Sequence, residues 1–247
     1  MLGYAADGGV AAYGQIGPDD SAELVVDPTS RRAGVGRDLA ERLAGLGAER
    51  FWAHGDLPGA RGLAAALGWA AVRDLHLMAR PLAAADAEPV ALPPGFLARG
   101  FRPGRDDEAW VATNAAAFAE HPEQGRLDLA DLHERMALPW FDAAGLIVVE
   151  DSTRGPADPP MAAFHWTKVE DGVGEVYVLG VHPAYQGRGL ATPLTRLGLA
   201  HLAARGIARV LLYVDGDNVR ARRTYAGLGF VDESVDVMYA VPGAAAP

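Results

Sequence analysis

One pattern of apolar strand, glycine loop and helix occurs twice in this chain. In the first copy the run Ala22 to Pro28 leads into Arg31 to Arg37, and in the second the run Val176 to Pro183 leads into Gln186 to Ala191. Asp27 corresponds to His182 and Gly34 to Gly189 at one constant offset. Such self-similarity indicates two structural repeats.

A third landmark, in the same order, supports the repeat. Leu67-Gly68-Trp69 matches Leu228-Gly229-Phe230, where a helix ends and a closing strand begins. The offset is larger here, so the second copy has a short insertion between the landmarks. We expect the insertion in the helix–strand connection near Ala204 to Ile207. The chain is therefore predicted to fold as two tandem α/β domains, each with a mixed sheet (α+β).

A low-complexity segment separates the two predicted domains. Residues 83–95 are rich in alanine and proline, as a linker would be. We therefore assign residues 1–82 to an N-terminal domain and residues 96–247 to a C-terminal domain. A second proline-rich stretch, 153–160, lies between two strand-like runs and predicts a hairpin loop.

The second half predicts strands and helices in a definite order. Apolar runs and helical periodicity place strands at 99–102, 146–150, 161–166, 176–183 and 208–214, and helices at 106–119, 129–137 and 218–227. The first half has only the stretch from Met1 to Pro28 before its loop, whereas the second has the much longer stretch from Phe101 to Pro183. One strand and two helices are thus predicted to be missing from the front, through either an upstream start or a trimmed domain; the upstream start is favoured.

Composition excludes several classes of function. The chain has no cysteine, so a disulfide, a zinc thiolate site and a cysteine nucleophile are excluded. Its net charge of −10 is opposite to that of a general nucleic-acid binder. The first residues lack a basic region followed by an apolar core, so we do not expect a signal peptide, and no apolar run approaches the about 20 residues of a membrane helix. We expect a cytoplasmic monomer without nucleic-acid or membrane partners.

The loop Gln186 to Ala191 predicts a phosphate site. A loop that opens a helix presents unpaired backbone N–H groups at the positive end of the helix dipole, which suits a pyrophosphate. Gly187 and Gly189 permit close approach of the backbone, and Arg188 can add a charge-assisted contact. The segment resembles the acetyl-CoA loop of the GCN5-related N-acetyltransferases, Gln/Arg-x-x-Gly-x-Gly/Ala. The resemblance implies the fold of acyl-CoA N-acyltransferases in both halves.

Acetyl transfer to an amine needs a base, an oxyanion partner and an acid. Glu175 begins the strand before the loop and is either the base or an ordinary strand-end carboxylate. The backbone N–H of Val181 is the predicted partner of the thioester oxygen, since parallel strands separate there. Tyr225, in the helix after Asn218, is either the acid for the departing thiolate or a packed core side chain.

The first half lacks these groups. In an alignment on Leu67-Gly68-Trp69 we take Ala65 as the counterpart of Tyr225 and Leu57 as the counterpart of Asn218. The first half therefore keeps a phosphate loop but no acid, and we expect it to bind CoA without turning it over.

Several longer segments resemble the mycothiol synthase family, a family of tandem acetyltransferases. They are Phe164 to Lys168, Gly174 to Val181, Leu211 to Val214, His121 to Gly125 and Pro139 to Asp142. The likeness extends over essentially the whole chain. It implies acetyl transfer from acetyl-CoA to the cysteinyl amine of desacetylmycothiol, without a metal.

The resemblance also implies roles for individual residues. Glu175 would be the base and Tyr225 the acid, and Glu123, Lys168, Glu175 and Tyr213 would bind the acceptor. Acetyl-CoA in the second domain would be bound by Leu179, Gly180, Val181, Gln186, Gly187, Arg188, Gly189, Leu190, Ala191, Thr192, Asn218, Val219, Arg220, Ala221, Arg222 and Arg223. A second acetyl-CoA would be bound by Leu24, Val25, Val26, Arg31, Arg32, Ala33, Gly34, Val35, Gly36 and Arg37.

Other interpretations stay open from the sequence. Taken singly, Lys168 could be solvated, Glu123 could sit in a polar loop and Tyr213 could be a core side chain. The family also has an acceptor-binding carboxylate in the absent front segment. Another N-acetyltransferase, acting on protein N-termini or aminoglycosides, would have the same CoA loop. A regulator built from two degenerate domains would bind CoA without catalysis.

Overall fold

The computed structural model describes residues 1–4, 8–121, 124–155 and 160–244. Its strands are β1 (Leu2–Tyr4), β2 (Val10–Ile16), β3 (Ser21–Val26), β4 (Arg50–Ala53), β5 (Ala70–Pro81), β6 (Phe96–Gly100), β7 (Leu146–Asp151), β8 (Ala163–Glu170), β9 (Val173–Val181), β10 (Arg209–Asp215) and β11 (Val231–Ala240). Its helices are α1 (Val35–Gly45), α2 (Pro58–Leu67), α3 (Asp107–Ala117), α4 (Leu129–Met136), α5 (Ala191–Ala204) and α6 (Val219–Gly227).

The chain divides into two compact units. Unit 1 contains residues 1–77, 214–218 and 232–247. Its strands follow the order β1-β2-β3-β4-β11, and only the β3–β4 pair is parallel. Leu39 and Leu43 of α1 pack against Ala12, Ala22 and Phe51 of the strands. Because these two leucines are four positions apart, they lie on one face of α1 and bury it against the sheet.

Unit 2 contains residues 78–213 and 219–231. Its strands follow the order β6-β7-β8-β9-β10, antiparallel except for the β9–β10 pair. The core contains three fully buried aromatic side chains, Trp110 of α3 and Phe164 and Trp166 of β8. The two indole rings meet edge to face at 5.4 Å, a favourable geometry for aromatic pairs.

The predicted repeat is confirmed by the element order. The series β1, β2, β3, α1, β4, α2, β5 has the same order as β7, β8, β9, α5, β10, α6, β11. The position predicted for the insertion in the second copy is wrong, because the two helix–strand connections, 46–49 and 205–208, are equal in length. Instead, α5 has 14 residues where α1 has 11, and β10 has 7 residues where β4 has 4.

The predicted counterpart of Tyr225, Ala65, is wrong by one position. The N–H of Phe230 donates to the carbonyl of Tyr225, as the N–H of Trp69 donates to that of Ala64. Ala64, not Ala65, is therefore the counterpart of Tyr225. The physical argument is unchanged, because an alanine occupies either position.

Most predicted elements of the second half lie close to their predicted bounds. The strand predicted at 99–102 is β6, which begins earlier, because Phe96 to Gly100 pair with Asp151 to Ile147. The hairpin of β7 and β8 is confirmed by their antiparallel pairing, although residues 156–159 of its loop lie outside the described residues. No helix in the described ranges is long and apolar enough to cross a membrane.

The last strand of the second half, β11, completes the sheet of unit 1. Residues Val237 to Ala240 of β11 pair antiparallel with Ala53 to Arg50 of β4. Correspondingly, β5 begins in unit 1 and ends in unit 2, where the N–H of Leu82 donates to the carbonyl of Ala208 at 2.8 Å. The domain boundary at 83–95 stays a prediction.

Candidate active site

The loop of residues 186–191, here loop B, connects β9 to α5. The turn before it, Pro183–Tyr185, is held by the His182 ring, which accepts the N–H of Ala184 at 3.2 Å. Gly187 and Gly189 have φ of 78° and 76°, where side chains are disfavoured. A Cβ on either glycine would meet no atom within 4 Å, so the backbone there is open to a ligand.

The loop of residues 31–36, here loop A, has the same geometry in unit 1. Asp27 holds the turn Pro28–Ser30 by accepting the N–H of Thr29 at 2.8 Å. Positive φ recurs at Arg32 (63°) and Gly34 (89°), the positions that correspond to Gly187 and Gly189. At the first of these two positions loop A has an arginine where loop B has a glycine.

A side chain closes each loop in the same way. In loop A the Arg31 Nε donates to the carbonyl of Val26 at 3.1 Å. In loop B the Gln186 Nε2 donates to the carbonyl of Val181 at 3.3 Å. Different side chains thus make an equivalent hydrogen bond in the two repeats, and both loops form a helix start that can hold a phosphate.

Arg188 projects from loop B. Its guanidinium carbon is 4.8 Å from the centre of the Tyr185 ring, and its Nη1 is 3.7 Å from Asp151 Oδ2. The Arg188 side chain is half exposed, whereas that of Asp151 is buried. The cation is therefore held near the loop while it stays accessible to an anion.

Strands β9 and β10 part beyond Glu175. In the described part of the chain, β10 pairs with β9 through Val210 with Gly174 and Leu211 with Glu175. On the other side, Trp166 pairs with Val178 but Thr167 pairs with Val176, so Tyr177 is the extra residue of a β-bulge. A bulge bends its strand and increases its twist, consistent with the separation of β9 from β10.

The backbone N–H of Val181 points away from β8. His182 donates its N–H to the carbonyl of Ala162 at 3.0 Å, so Val181 belongs to the adjacent, non-hydrogen-bonded pair with Ala163. Its carbonyl accepts from Gln186 on the same outer side. Val181 can therefore offer its N–H to a ligand placed where β9 and β10 part.

Glu175 lies in a charged cluster. Its carboxylate is largely buried, and its Oε2 is 3.9 Å from the Nζ of Lys168 on the paired strand β8. Burial raises the pKa of Glu175, and the positive charge of Lys168 opposes the shift. A buried carboxylate with a raised pKa is a stronger base than an exposed one, as proton abstraction requires.

Aromatic rings, which the sequence interpretation left without a role, surround Lys168. Its Nζ is 5.5 Å from the ring centre of Trp140 and 5.8 Å from that of Tyr177, within cation–π range. Trp140 and Tyr177 meet edge to face at 5.1 Å, and Arg135 Nε donates to the Tyr177 hydroxyl at 3.3 Å. The signal for Trp140 was available in the segment Pro139 to Asp142.

The remaining predicted residues have distinct positions. Tyr225 of α6 is partly buried, its ring contacts that of Phe230 edge to face, and burial raises its pKa to about 12. Tyr213 of β10 is 51% exposed, so it is not a core side chain. Asn218 immediately precedes α6. Glu123 lies outside the described residues.

The structure brings some predicted residues together. Lys168 and Glu175 are neighbours, and Gln186 contacts Val181. No described contact joins Tyr225 or Tyr213 to this group. Among the residues that the structure describes, no group of three or more His, Asp or Glu side chains could hold a metal ion.

Comparisons with known protein families and with known sequences agree on one family. Residues 113–230 match the acetyltransferase (GNAT) family. A mycothiol acetyltransferase of Frankia alni is 48% identical, and the aligned region covers 100% of this chain and 76% of that protein. One of Kineococcus radiotolerans is 50% identical, over 95% of this chain and 78% of that protein.

Solved structures share the fold. A GCN5-related N-acetyltransferase from Sphaerobacter thermophilus superposes with a TM-score of 0.76 at 23% identity, over 96% of this chain and 78% of that one. A tandem GNAT protein from the clavulanic acid biosynthesis pathway has a TM-score of 0.67 at 18% identity, over 95% and 80%. The predicted fold, tandem GCN5-related domains with a mixed sheet, is confirmed.

Proposed function

Because the chain belongs to the mycothiol acetyltransferase family, we propose that it transfers the acetyl group of acetyl-CoA to the cysteinyl amine of desacetylmycothiol. The products are mycothiol and CoA. The observation that carries the proposal is the placement of Glu175 on β9, in the strand that leads into loop B and at the point where β9 and β10 part.

Acetyl-CoA binds in unit 2 through loop B and the strand before it. The N–H groups at the start of α5 hold the pyrophosphate, with Arg188 beside them. The pantetheine lies along the outer backbone edge of Leu179 to Val181. Residues 186–192 and 218–223 complete the cofactor contacts.

The chemistry needs three groups in sequence. Glu175 accepts a proton from the acceptor's ammonium, directly or through a water, and the neutral nitrogen attacks the thioester carbonyl. The N–H of Val181 stabilises the negative charge that develops on the carbonyl oxygen. When the carbon–sulfur bond breaks, Tyr225 donates its proton to the thiolate of CoA. The second proton of the attacking nitrogen then leaves to water, and the Tyr225 phenolate takes up a proton from water to restore the phenol.

Unit 1 holds a second acetyl-CoA without turnover. Loop A repeats the turn, the two positive φ values and the side-chain closure of loop B. The residues proposed to bind are Leu24 to Val26 and Arg31 to Arg37. The counterpart of Tyr225 is Ala64, so this half has no phenol to protonate a thiolate.

The acceptor binds through Glu123, Lys168, Glu175 and Tyr213. Half-exposed Tyr213 is available for such a contact. We further propose that the enzyme works as a cytoplasmic monomer on small molecules. The net charge of −10 supports this, because neither nucleic acid nor an anionic membrane attracts such a protein.

Steady-state kinetics with purified desacetylmycothiol and acetyl-CoA test the proposal. We expect saturable release of CoA and formation of an N-acetylated product identified by mass spectrometry. An aminoglycoside and a peptide with a free N-terminus, at equal concentration, are the control acceptors. Acetylation of a control acceptor in preference to desacetylmycothiol would contradict the proposal, as would binding of acetyl-CoA without turnover.

A further inference from the structure

Lys168 is the only lysine in the chain, although lysine and arginine together number 22. The others are all arginines, whose charged groups are larger and planar. The single compact ammonium lies on β8, next to the proposed base on β9. This position is where an incoming amine must lose a proton.

The ammonium is held from three sides. Glu170 Oε2 is 2.8 Å from its Nζ, and the ring faces of Trp140 and Tyr177 lie at 5.5 and 5.8 Å. Its side chain is only 19% exposed. The charge is therefore fixed and partly desolvated, conditions that strengthen electrostatic effects on neighbouring groups.

The other charged and titratable groups around Lys168 come from its own strand and from the elements packed against it. They are Glu170 on β8, Glu175 and Tyr177 on β9, and Arg135 on α4. Arg135 is itself paired with Asp131, at 3.6 Å. Burial alone would lower the pKa of Lys168, but the Glu170 hydrogen bond and the charge of Glu175 outweigh it and leave the pKa raised. Lys168 is therefore a cation at the pH of the reaction.

We infer that Lys168, held by Glu170, Trp140 and Tyr177, favours the neutral, nucleophilic form of the acceptor amine bound at Glu175. An amine within hydrogen-bond distance of the Glu175 carboxylate lies a few ångströms from the Lys168 charge. A like charge at that range disfavours the ammonium form and favours the free base. The same charge keeps Glu175 ionised, so that it can accept the proton.

This inference rests on the proposed function and adds to it. In the proposed function Lys168 contacts the acceptor, which predicts weaker acceptor binding on its loss. The inferred role is electrostatic: the charge of Lys168 shifts the equilibrium between the ammonium and neutral forms of the acceptor amine, and Lys168 itself transfers no proton. The two roles predict opposite changes in the KM of the acceptor at low pH.

The test is the pH dependence of kcat and of acceptor KM, at saturating acetyl-CoA, for the wild type and Lys168→Met. We expect the acid limb of kcat to move up by about one pH unit, with roughly tenfold lower kcat below it and recovery at high pH. Acceptor KM at low pH should fall together with kcat, because the ammonium form then binds without reacting.

Matched variants separate the effect of charge from that of side-chain shape. Lys168→Arg keeps the charge, so the low-pH limb of its kcat profile should stay within a few tenths of a pH unit of wild type. Glu170→Gln removes the carboxylate that fixes the Lys168 ammonium, and it should move the low-pH limb by less than Lys168→Met does. Thermal unfolding and acetyl-CoA binding of Lys168→Met establish that the variant is folded.

A direct measurement uses desacetylmycothiol with a ¹⁵N-labelled cysteinyl amine, bound together with CoA in a dead-end complex. NMR titration should show a lower pKa for the bound amine in the wild type than in Lys168→Met, by about one unit. Equal values in the two proteins overturn the inference, as does a raised acceptor KM with an unmoved acid limb. Either result leaves the proposed function standing; only failure of the wild type to acetylate desacetylmycothiol removes it.

Discussion

At the scale of the residue, His165 shows how burial fixes a protonation state. It lies fully buried on β8, with Nδ1 3.0 Å from the carbonyl of Leu194 on α5. A carbonyl only accepts, so Nδ1 carries the proton. Nε2 has no partner within the described residues, and Gly198 makes room for the ring, since a Cβ there would overlap it. Burial lowers the pKa of His165 to about 4.

We predict that His165 makes stability depend on pH. Its folded pKa lies below the ordinary value of 6.5, so the unfolded chain binds the proton more tightly. The contribution of the neutral, buried His165 ring to the free energy of unfolding is therefore complete above pH 6.5 and is lost as pH falls from 6.5 towards 4. Between pH 7.5 and 5.5 the wild type should lose about 1.4 kcal/mol more unfolding free energy than His165→Asn. Urea unfolding at both pH values measures the difference; an equal loss in both proteins contradicts the prediction.

Glu175 is the second residue with a pH prediction. Glu175→Gln keeps the size of the side chain but cannot accept the proton, so kcat/KM should fall about 10²–10⁴-fold. The loss should be largest at low pH, where more of the acceptor is protonated. Exposed Glu134 on α4 offers a matched control, and Glu134→Gln should retain wild-type rates. An unchanged acid limb in Glu175→Gln would remove Glu175 from the mechanism.

At the scale of the element, each half contains one motif of a strand, a glycine loop and a helix. Loops A and B share their turn and their left-handed positions, so both have the backbone geometry proposed to hold a phosphate. What differs is downstream: α6 carries Tyr225, whereas α2 carries the buried Ala64 at that place. The proposed function therefore assigns binding to the loops and turnover to α6.

We predict that matched substitutions in the loops have unequal effects. Gly189→Glu places a carboxylate at the pyrophosphate position and should abolish acetyl transfer, whereas Gly34→Glu should leave kcat within about twofold of wild type. Gly189→Ala and Gly34→Ala control for backbone strain, which should cost about 1 kcal/mol at each left-handed position. Retained acetyl transfer in Gly189→Glu would show that the catalytic half is wrongly assigned.

How much the sequence predicts depends on how local the signal is. Loop B, α5 and the repeat could be predicted because glycine spacing and apolar runs lie within a few positions. The bulge at Tyr177 and the ring contacts of Lys168 could not, since both depend on the register between β8 and β9. The pairing of β4 with β11 joins segments from different repeats, far apart in the sequence, and no pattern within either strand specifies it.

At the scale of the whole molecule, the two repeats are not two independent chains in series. Unit 1 includes residues 232–247, from the end of the second half, and β5 ends in unit 2. A cut in the predicted linker would therefore leave β4 without its antiparallel neighbour. An unpaired, partly apolar strand edge promotes association.

We predict that residues 1–95 expressed alone do not fold cooperatively. The fragment should show no sigmoidal urea transition and should associate at micromolar concentration. Adding residues 96–247 as a separate chain should restore β11 and, with it, a cooperative transition. A cooperative, monomeric fragment 1–95 would show that β11 is dispensable for unit 1.

The pairing of β4 with β11 has a consequence for how such a gene can change. Deleting either copy of the repeat removes a strand from the sheet of what is left. Substitutions in the first copy that abolish chemistry are tolerated as long as its strands still pair. A first half without turnover, as proposed above, would be retained as scaffold while its surface and its ligand site diverge.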